Sequence, residues 1–124
     1  MYLLDTHVLL WWLTEPNKIS NTGQQIIANR NNTIFISSIS FWEMSIKNSL
    51  GKLTLPNNIL TIAKSEGLKI LPLQPEEGLS VADLPNIHQD PFDRILIAQA
   101  KYNNLVLITR DKKVQEYPIV TVLA

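Results

Sequence analysis

Residues 90–111 have the sequence DPFDRILIAQAKYNNLVLITRD, in which chemistry alone predicts one helix and one strand. Asp90 is a preferred N-cap and Pro91 is favoured at the first helical position, so we expect a helix over Asp90–Asn103. The apolar, β-branched run Leu105–Thr109 is typical of a buried strand. A helix that leads directly into a buried strand predicts a βαβ arrangement with parallel strands.

The same alternation continues over the rest of the chain. The further strands that we expect are Tyr2–Asp5, Thr33–Ser37, Leu68–Leu71 and Ile119–Leu123. The further helices are expected over Thr6–Leu13, Ser20–Asn31, Ser38–Leu50, Pro56–Glu66 and Pro75–Leu84, with a turn of helix over Asp111–Glu116. Strands separated by helices predict an α/β fold with a mostly parallel central sheet covered on both faces. Residues 1–124 should form one domain, since domains commonly have about 100–150 residues.

The composition excludes several classes of protein. The chain has 11 basic and 11 acidic residues, and this formal net charge of zero argues against a non-specific polyanion binder. It has no Cys, so it has neither a disulfide framework nor a thiolate metal site, which fits a reducing, cytoplasmic location. The longest apolar run, Val8–Leu13, is far shorter than the roughly 20 residues that span a bilayer. The first residues lack the basic region of a signal peptide, so we expect none, and with so short an apolar run we expect no membrane partner.

Four acidic residues fall where a parallel sheet gathers its functional site, outside the carboxyl ends of its strands. Asp5 ends the first predicted strand, and Asp111 follows the strand Leu105–Thr109. Glu43 and Asp93 lie near the starts of predicted helices. Each also has a purely structural interpretation, because Asp5 and Asp111 can cap the helices that follow them and Asp93 suits the first turn of its helix.

Glu43 is informative because of its position on a predicted helix face. A carboxylate at the edge of the core is costly unless it is paired or bound to a cation. An ion pair with Lys47, one turn later, is the structural alternative. Glu43 lies on an apolar stripe that we expect to consist of Ile39, Trp42, Ile46 and Leu50.

Carboxylates gathered in one cleft repel one another, which raises their pKa values unless a cation is bound. The hard ions Mg²⁺ and Mn²⁺ prefer such oxygen ligands. Zinc is disfavoured, because the chain has no Cys and only His7 and His88, and we expect His88 to be a solvated loop residue. The positive side chains near these acids predict contacts with phosphate, and they are Lys47, Lys52, Arg94 and Arg110. Lys112 and Lys113 are further candidates for phosphate contacts, although a solvated surface position is the stronger alternative for both.

Four motifs, in order and over essentially the whole chain, resemble those of PIN-domain ribonucleases, and most closely the VapC-like toxins of bacterial type II toxin–antitoxin modules. The first is LLDTHVLLWWL at residues 3–13, and the second is SISFWEMSIK at residues 38–47. The third is DPFDRILIAQA at residues 90–100, and the fourth is TRD at residues 109–111.

The resemblance implies a three-layer α/β/α domain with Mg²⁺- or Mn²⁺-dependent endoribonuclease activity. It implies that Asp5, Glu43, Asp93 and Asp111 form a catalytic, metal-binding acidic quartet. Asp90 is a further possible ligand, but we prefer Asp93 because it faces the apolar side of its helix. Thr6 would be a supporting hydroxyl beside Asp5. The implied partners are an RNA substrate, a small antitoxin protein and a second copy of the chain in a homodimer.

Two alternatives stay open from the residues alone. A receiver-like Mg²⁺-binding domain has a similar size and sheet, although it would need an acidic pair after the first strand, where Asp5 is followed by Thr6. A non-catalytic RNA-binding domain would keep the basic residues but has no need of Glu43. The helix after Asp5 is apolar at every angle, so we also expect Trp11 or Trp12 to contribute to a protein–protein contact.

Overall fold

A computed structural model describes all 124 residues and shows a five-stranded sheet in which every neighbouring pair of strands is parallel. The strands are β1 (Tyr2–Leu4), β2 (Ile34–Ser37), β3 (Lys69–Leu71), β4 (Val106–Thr109) and β5 (Thr121–Leu123), in the spatial order β3-β2-β1-β4-β5. The α-helices are α1 (Thr6–Thr14), α2 (Asn21–Ala28), α3 (Ser38–Ser49), α4 (Ile59–Ser65), α5 (Pro75–Ser80) and α6 (Pro91–Asn103). The predicted α/β fold with a parallel sheet is therefore confirmed.

Helices cover both faces of the sheet because neighbouring residues of β1 point in opposite directions. Leu4 belongs to a core cluster with Val8 and Met44, which lies on the side of α1 to α4. Leu3 belongs to a second cluster with Leu96, on the side of α6, against which α5 packs. These three layers give the predicted α/β/α architecture.

The register at the centre of the sheet positions the candidate site. Leu4 of β1 pairs with Ile108 of β4, so the two strands end side by side. Asp5 follows β1 directly, and residues 109–111 close β4 and continue beyond it. The neighbouring strands β1 and β4 lie at the centre of the sheet. After β1 the chain continues to β2 on one side of this pair, and after β4 it continues to β5 on the other side. Such a position is where open parallel sheets form their ligand-binding crevices.

Four predicted helices are shorter than expected. Helix α2 ends at Ala28 rather than at Asn31. Helix α4 begins at Ile59 rather than Pro56, because Asn57 and Asn58 favour a turn. Pro75–Leu84 divides into α5 and a 3₁₀ turn over Val81–Asp83. The expected turn of helix after Asp111 is a 3₁₀ turn over Val114–Glu116. None of these differences moves an acidic candidate away from the ends of β1 and β4.

The apolar stripe predicted for α3 is wrong. Trp42 and Leu50 are 55% and 61% exposed, whereas the buried residues of the helix are Ser40, Glu43 and Met44. The reason is a polar contact with α1 through the Thr6 hydroxyl, described below, which lets a polar face be buried without leaving hydrogen-bonding groups unpaired.

Helix α1 is only partly covered by the rest of the protomer. Val8 and Leu9 are fully buried, while Trp11 and Trp12 pack against the core and stay half-buried. The expectation that one of these tryptophans contacts another protein therefore stays a prediction. The longest helix, α6, has 13 residues, and no helix has the combined length and apolar character needed to cross a bilayer.

Candidate active site: an acidic cleft at the strand ends

A cleft of about 460 Å³ lies at the carboxyl ends of β1 and β4, and only polar residues line it. All four predicted acids meet there, together with Asp90. The lining residues are Asp5, His7, Glu43, Lys47, Asp90, Asp93, Arg110, Asp111 and Lys112. The structure thus brings together acids that are more than 100 positions apart in sequence, as the order of the strands requires.

Asp5 caps α1 and faces the cleft at the same time. Its Oδ1 accepts a hydrogen bond from Val8 N–H (2.8 Å), and its Oδ2 lies 3.4 Å from the N–H of Arg110. The residue is only 6% exposed. This burial raises the pKa of Asp5, although hydrogen bonds from Thr109 and from the Val8 N–H oppose the rise. Asp5 therefore does cap α1, as the structural interpretation predicts. Capping alone does not account for its burial, because a carboxylate that serves only as a cap would be better solvated.

Glu43 is held from both sides and is 3% exposed. The Thr6 hydroxyl donates to Oε1 (2.6 Å), and Ser40 Oγ lies 3.0 Å from Thr6 Oγ1. Lys47 pairs with Oε2. The structural alternative proposed from the sequence, an ion pair one turn apart, is therefore present, and it lies inside the cleft. The Thr6 hydroxyl contacts Glu43, and its supporting role at the site stays a prediction.

Asp93 and Asp111 form the densest group of potential ligands. One oxygen from each and a ring nitrogen of His88 lie within 4.8 Å of one another. Burial raises the pKa of Asp93 to about 6, and the neighbouring charge of Asp90 adds to the rise. The hydrogen bond with His88 opposes it.

Asp90 and Asp111 also cap local backbone. Asp90 Oδ1 accepts from the N–H groups of Phe92 (2.9 Å) and Asp93 (3.3 Å), as its N-cap position predicts. Asp111 Oδ1 accepts from Lys113 N–H (2.8 Å). Each carboxylate has one oxygen engaged in this way and a second oxygen that is free of these bonds.

Three of the positive side chains lie in the cleft, and one predicted cation lies beside it. Lys47, Arg110 and Lys112 line the cleft. Lys52 lines a second cavity of about 340 Å³, which shares His7 and Lys47 with the cleft. Trp11 also lines this cavity, and the Arg110 guanidinium lies 5.2 Å from the centroid of its ring. Because they share His7 and Lys47, the two cavities adjoin and form a continuous surface that carries positive side chains beside the acids.

Arg94 does not meet the cleft, so its predicted contact with phosphate is replaced by a structural role. The residue is 9% exposed, and its guanidinium points into the protein. Nη1 donates to the carbonyl of Pro85 (2.9 Å) and to the Tyr117 hydroxyl (3.0 Å). Nη2 donates to the carbonyl of Val81 (3.3 Å). Arg94 thus fastens the segment before α6 onto that helix.

Sequence reasoning missed or underrated three residues of this region. The expectation that His88 is a solvated loop residue is wrong, since its side chain is 16% exposed and hydrogen-bonds to Asp93 and Tyr117. Its position five residues before Asp93 was the available signal. Lys112 lines the cleft, so of its two interpretations the weaker one, a position near the acids, matches the structure. His7 lines both cavities, and burial together with the charge of Arg110 lowers its pKa.

The donor set fits a hard divalent cation. It consists of carboxylate oxygens in a cleft without thiolates, which suits Mg²⁺ or Mn²⁺. Burial raises the pKa values of Asp5 and Asp93, so the ionised forms of these carboxylates are disfavoured without a nearby positive charge. A bound cation would supply the missing charge.

The fold and the cleft define a class: a parallel α/β/α domain with an acidic site at the strand ends. The chain belongs to the PIN domain family, whose family model matches residues 2–120. It is 25% identical over 118 residues to "Ribonuclease VapC22" of Mycobacterium tuberculosis, covering 93% of this chain and 90% of that protein. The resemblance seen in the motifs is thereby confirmed, and family membership excludes the receiver-like alternative.

Solved structures show the same fold. A "VapBC2" complex from Rickettsia felis, bound to a DNA fragment from its promoter, matches with a TM-score of 0.75 and 20% identity, over 98% of this chain and 97% of that chain. A DNA-bound "VapBC" complex from Salmonella typhimurium matches with a TM-score of 0.69 and 19% identity, over 98% and 96% of the two chains. At this identity the likeness establishes the fold, and the arrangement of side chains has to be argued from this chain.

Proposed function

We propose that the protein is an endoribonuclease that depends on Mg²⁺ or Mn²⁺ and acts as the toxin of a type II toxin–antitoxin module. The observation that carries the proposal is the convergence of Asp5, Glu43, Asp93 and Asp111 in one polar cleft of a PIN domain. The name of the M. tuberculosis relative supports ribonuclease activity, and the VapBC names of the structural neighbours support the toxin assignment.

The chain's own residues suit phosphodiester hydrolysis. Asp5, Asp93 and Asp111 would hold the cation, with Asp90 as a further candidate ligand and Glu43 completing the quartet. Such a cation can orient a water molecule for in-line attack and neutralise charge on the phosphate. Lys47 is held at the cleft by Glu43, so its ammonium already lies where a phosphate would enter.

The continuous surface beside the acids suits a single strand of RNA. Lys52 and Lys47 would contact phosphates, and Arg110 would contribute from the side of Trp11. Phosphate contacts of this kind position the strand and do not select its sequence. Selection of the target would come from base contacts, for which the half-buried Trp11 ring offers a stacking surface.

The proposed partners follow from the same family context. A cognate antitoxin would cover the toxin, and a homodimer would form through a surface of the protomer that is still exposed. Trp11 and Trp12, which their own protomer covers only in part, are the candidate contacts for such partners. A ribonuclease toxin meets both RNA and antitoxin in the cytoplasm, which is where we place it.

The direct test is RNA cleavage by the purified full chain with Mg²⁺, with Mn²⁺ and with excess EDTA. We expect cleavage with either ion and none with EDTA. Asp5→Asn should reduce the rate by at least about 100-fold, because it removes charge at the reacting centre. Asp83→Asn is the matched control, since Asp83 is an exposed acid outside the cleft. RNA binding without metal-dependent cleavage would favour the non-catalytic alternative, and full activity in Asp5→Asn would contradict the quartet.

A further inference from the structure

The hydroxyl of Tyr117 is the centre of a buried hydrogen-bond cluster next to the acidic cleft. Tyr117 is 3% exposed. Its Oη accepts hydrogen bonds from Arg94 Nη1 (3.0 Å) and from the backbone N–H of His88 (3.2 Å). The same oxygen lies 2.7 Å from Nδ1 of the His88 ring. The other ring nitrogen, Nε2, lies 3.2 Å from Asp93 Oδ2.

Counting hydrogens and comparing distances in this cluster favours one direction for each bond. A phenol oxygen has two lone pairs and one hydrogen. Arg94 Nη1 has two hydrogens and three acceptors within reach, and the two closer acceptors are the Pro85 carbonyl (2.9 Å) and Tyr117 Oη (3.0 Å), with the His88 carbonyl at 3.3 Å. Arg94 and the His88 backbone N–H then occupy both lone pairs of Oη, so Nδ1 has no lone pair there to which it can donate. The Tyr117 hydrogen therefore goes to Nδ1, which is closer than the other available acceptor, the His88 carbonyl at 3.3 Å.

The ring proton of His88 must then reside on Nε2. In a neutral imidazole one nitrogen donates and the other accepts, and the hydrogen bond at one nitrogen sets the state of the other. With Nδ1 accepting from Tyr117, Nε2–H points at Asp93 Oδ2 and donates to it. A protonated nitrogen has no lone pair for a metal.

We propose that His88 is a positioning residue that donates its Nε2 hydrogen to Asp93, and that it is not a ligand of the cation. This inference rests on the proposed function, since it deepens the description of the same metal site. It decides between two interpretations of the His88, Asp93 and Asp111 group, whose atoms are near enough to form a mixed nitrogen and oxygen site. Asp93 Oδ2 is engaged by His88, and Asp93 would be the residue of this pair that holds a cation.

The consequence is a site built of oxygen ligands alone. Such a site favours Mg²⁺ and Mn²⁺ over zinc, for which imidazole is a better ligand. Arg94 belongs to the same hydrogen-bond cluster, because it donates to the Tyr117 hydroxyl and to the carbonyls of Val81 and Pro85. Orientation of a ligating carboxylate by outer hydrogen bonds typically affects metal affinity by about 10–100-fold.

Two spectroscopic measurements on the full chain test the proposal. In the metal-free protein, ¹⁵N NMR of the histidine rings should show His88 protonated at Nε2. In the Mn²⁺-bound protein, pulsed EPR should show no coupling to a directly bound ring nitrogen. A His88 protonated at Nδ1, or a nitrogen coupling that disappears in His88→Gln, would overturn the proposal. The NMR result is independent of catalysis, so it remains decisive even if the protein proves to cleave no RNA.

Variants separate positioning from folding. His88→Gln keeps an N–H donor at the place of Nε2 and should retain Mn²⁺ affinity within about threefold. His88→Ala removes the donor and should weaken Mn²⁺ binding by about 10-fold or more. Equal losses in both variants, at unchanged unfolding midpoints, would contradict the donor role. Tyr117→Phe should release the fixed ring state, so that NMR shows both neutral forms of His88, and an unaltered Nε2–H population would refute the hydrogen count.

Discussion

Asp93→Asn should stabilise the metal-free protein at neutral pH while removing its activity. Burial raises the pKa of Asp93 to about 6 from its ordinary value of 3.8, and Asp90 contributes to the rise. The folded protein therefore binds this proton more tightly than the unfolded chain does. The stabilising contribution is complete below pH 3.8 and is lost as the pH rises through about 6.

The size of the effect follows from the pKa difference. A rise from 3.8 to about 6 corresponds to about 3 kcal/mol between the protonated and ionised forms. The side chain is 23% exposed, so solvent screening reduces the expected gain to about 2 kcal/mol. Asparagine is uncharged at every pH and keeps an oxygen that can accept from His88. The variant should thus match the wild type near pH 4 and exceed its stability by about 2 kcal/mol at pH 7.5.

The assay is urea unfolding of both proteins in EDTA at pH 4 and pH 7.5, with Asp83→Asn as an exposed control. Saturating Mg²⁺ at pH 7.5 should narrow or reverse the difference in unfolding free energy between the two proteins. A ligand that binds the native state stabilises it, and we expect the wild type to bind Mg²⁺ better than Asp93→Asn does. The argument would be refuted if Asp93→Asn were no more stable than the wild type at pH 7.5 and if the difference in unfolding free energy between the two proteins were the same at pH 4. Such a result would mean that Asp93 is already compensated without a cation.

Four further outcomes are expected. Asp90→Asn should reduce RNA cleavage less than Asp93→Asn in the same assay, and the reverse order would exchange their roles. Arg94→Ala should lower the free energy of unfolding by about 3 kcal/mol, because it leaves buried hydrogen-bond partners unpaired. Lys52→Ala should change the free energy of unfolding by no more than about 0.5 kcal/mol, and it should weaken RNA binding as measured by titration. Expression without an antitoxin should arrest bacterial growth and Asp93→Asn should relieve the arrest; a harmless wild type that is present as folded protein would contradict the toxin assignment.

The parts of the fold that could be predicted are those set by local chemistry. Asp90 and Pro91 define the start of α6, and the apolar runs at the strands define a parallel sheet once helices separate them. The location of the acids then follows from topology, because Asp5 and Asp111 come after strands that end side by side. Such inferences need only the order of elements along the chain.

The errors came from side chains whose environment depends on distant residues. The stripe expected on α3 assumed that the buried face must be apolar, and the Thr6 hydroxyl on α1 makes a polar face buried instead. Arg94 was assigned to phosphate because it follows Asp93, although its partner Tyr117 lies 23 positions away. An arginine suits either role, and no spacing within α6 distinguishes them.

Most carboxylates of the cleft are held in a fixed orientation by neutral hydrogen-bond donors, and their negative charge is not balanced by a cationic side chain. Asp5 and Asp90 accept hydrogen bonds from backbone N–H groups in the first turns of α1 and α6, and Asp111 accepts from a backbone N–H two residues later. Neutral donors of this kind fix the direction of a carboxylate and leave its net charge in place. Only Glu43 is paired with a cationic side chain, Lys47. The remaining negative charge lowers the stability of the metal-free protein. A divalent ion would bind to this same charge. The carboxylates that would serve the chemistry of the site are therefore the ones that destabilise the protein when no metal is bound.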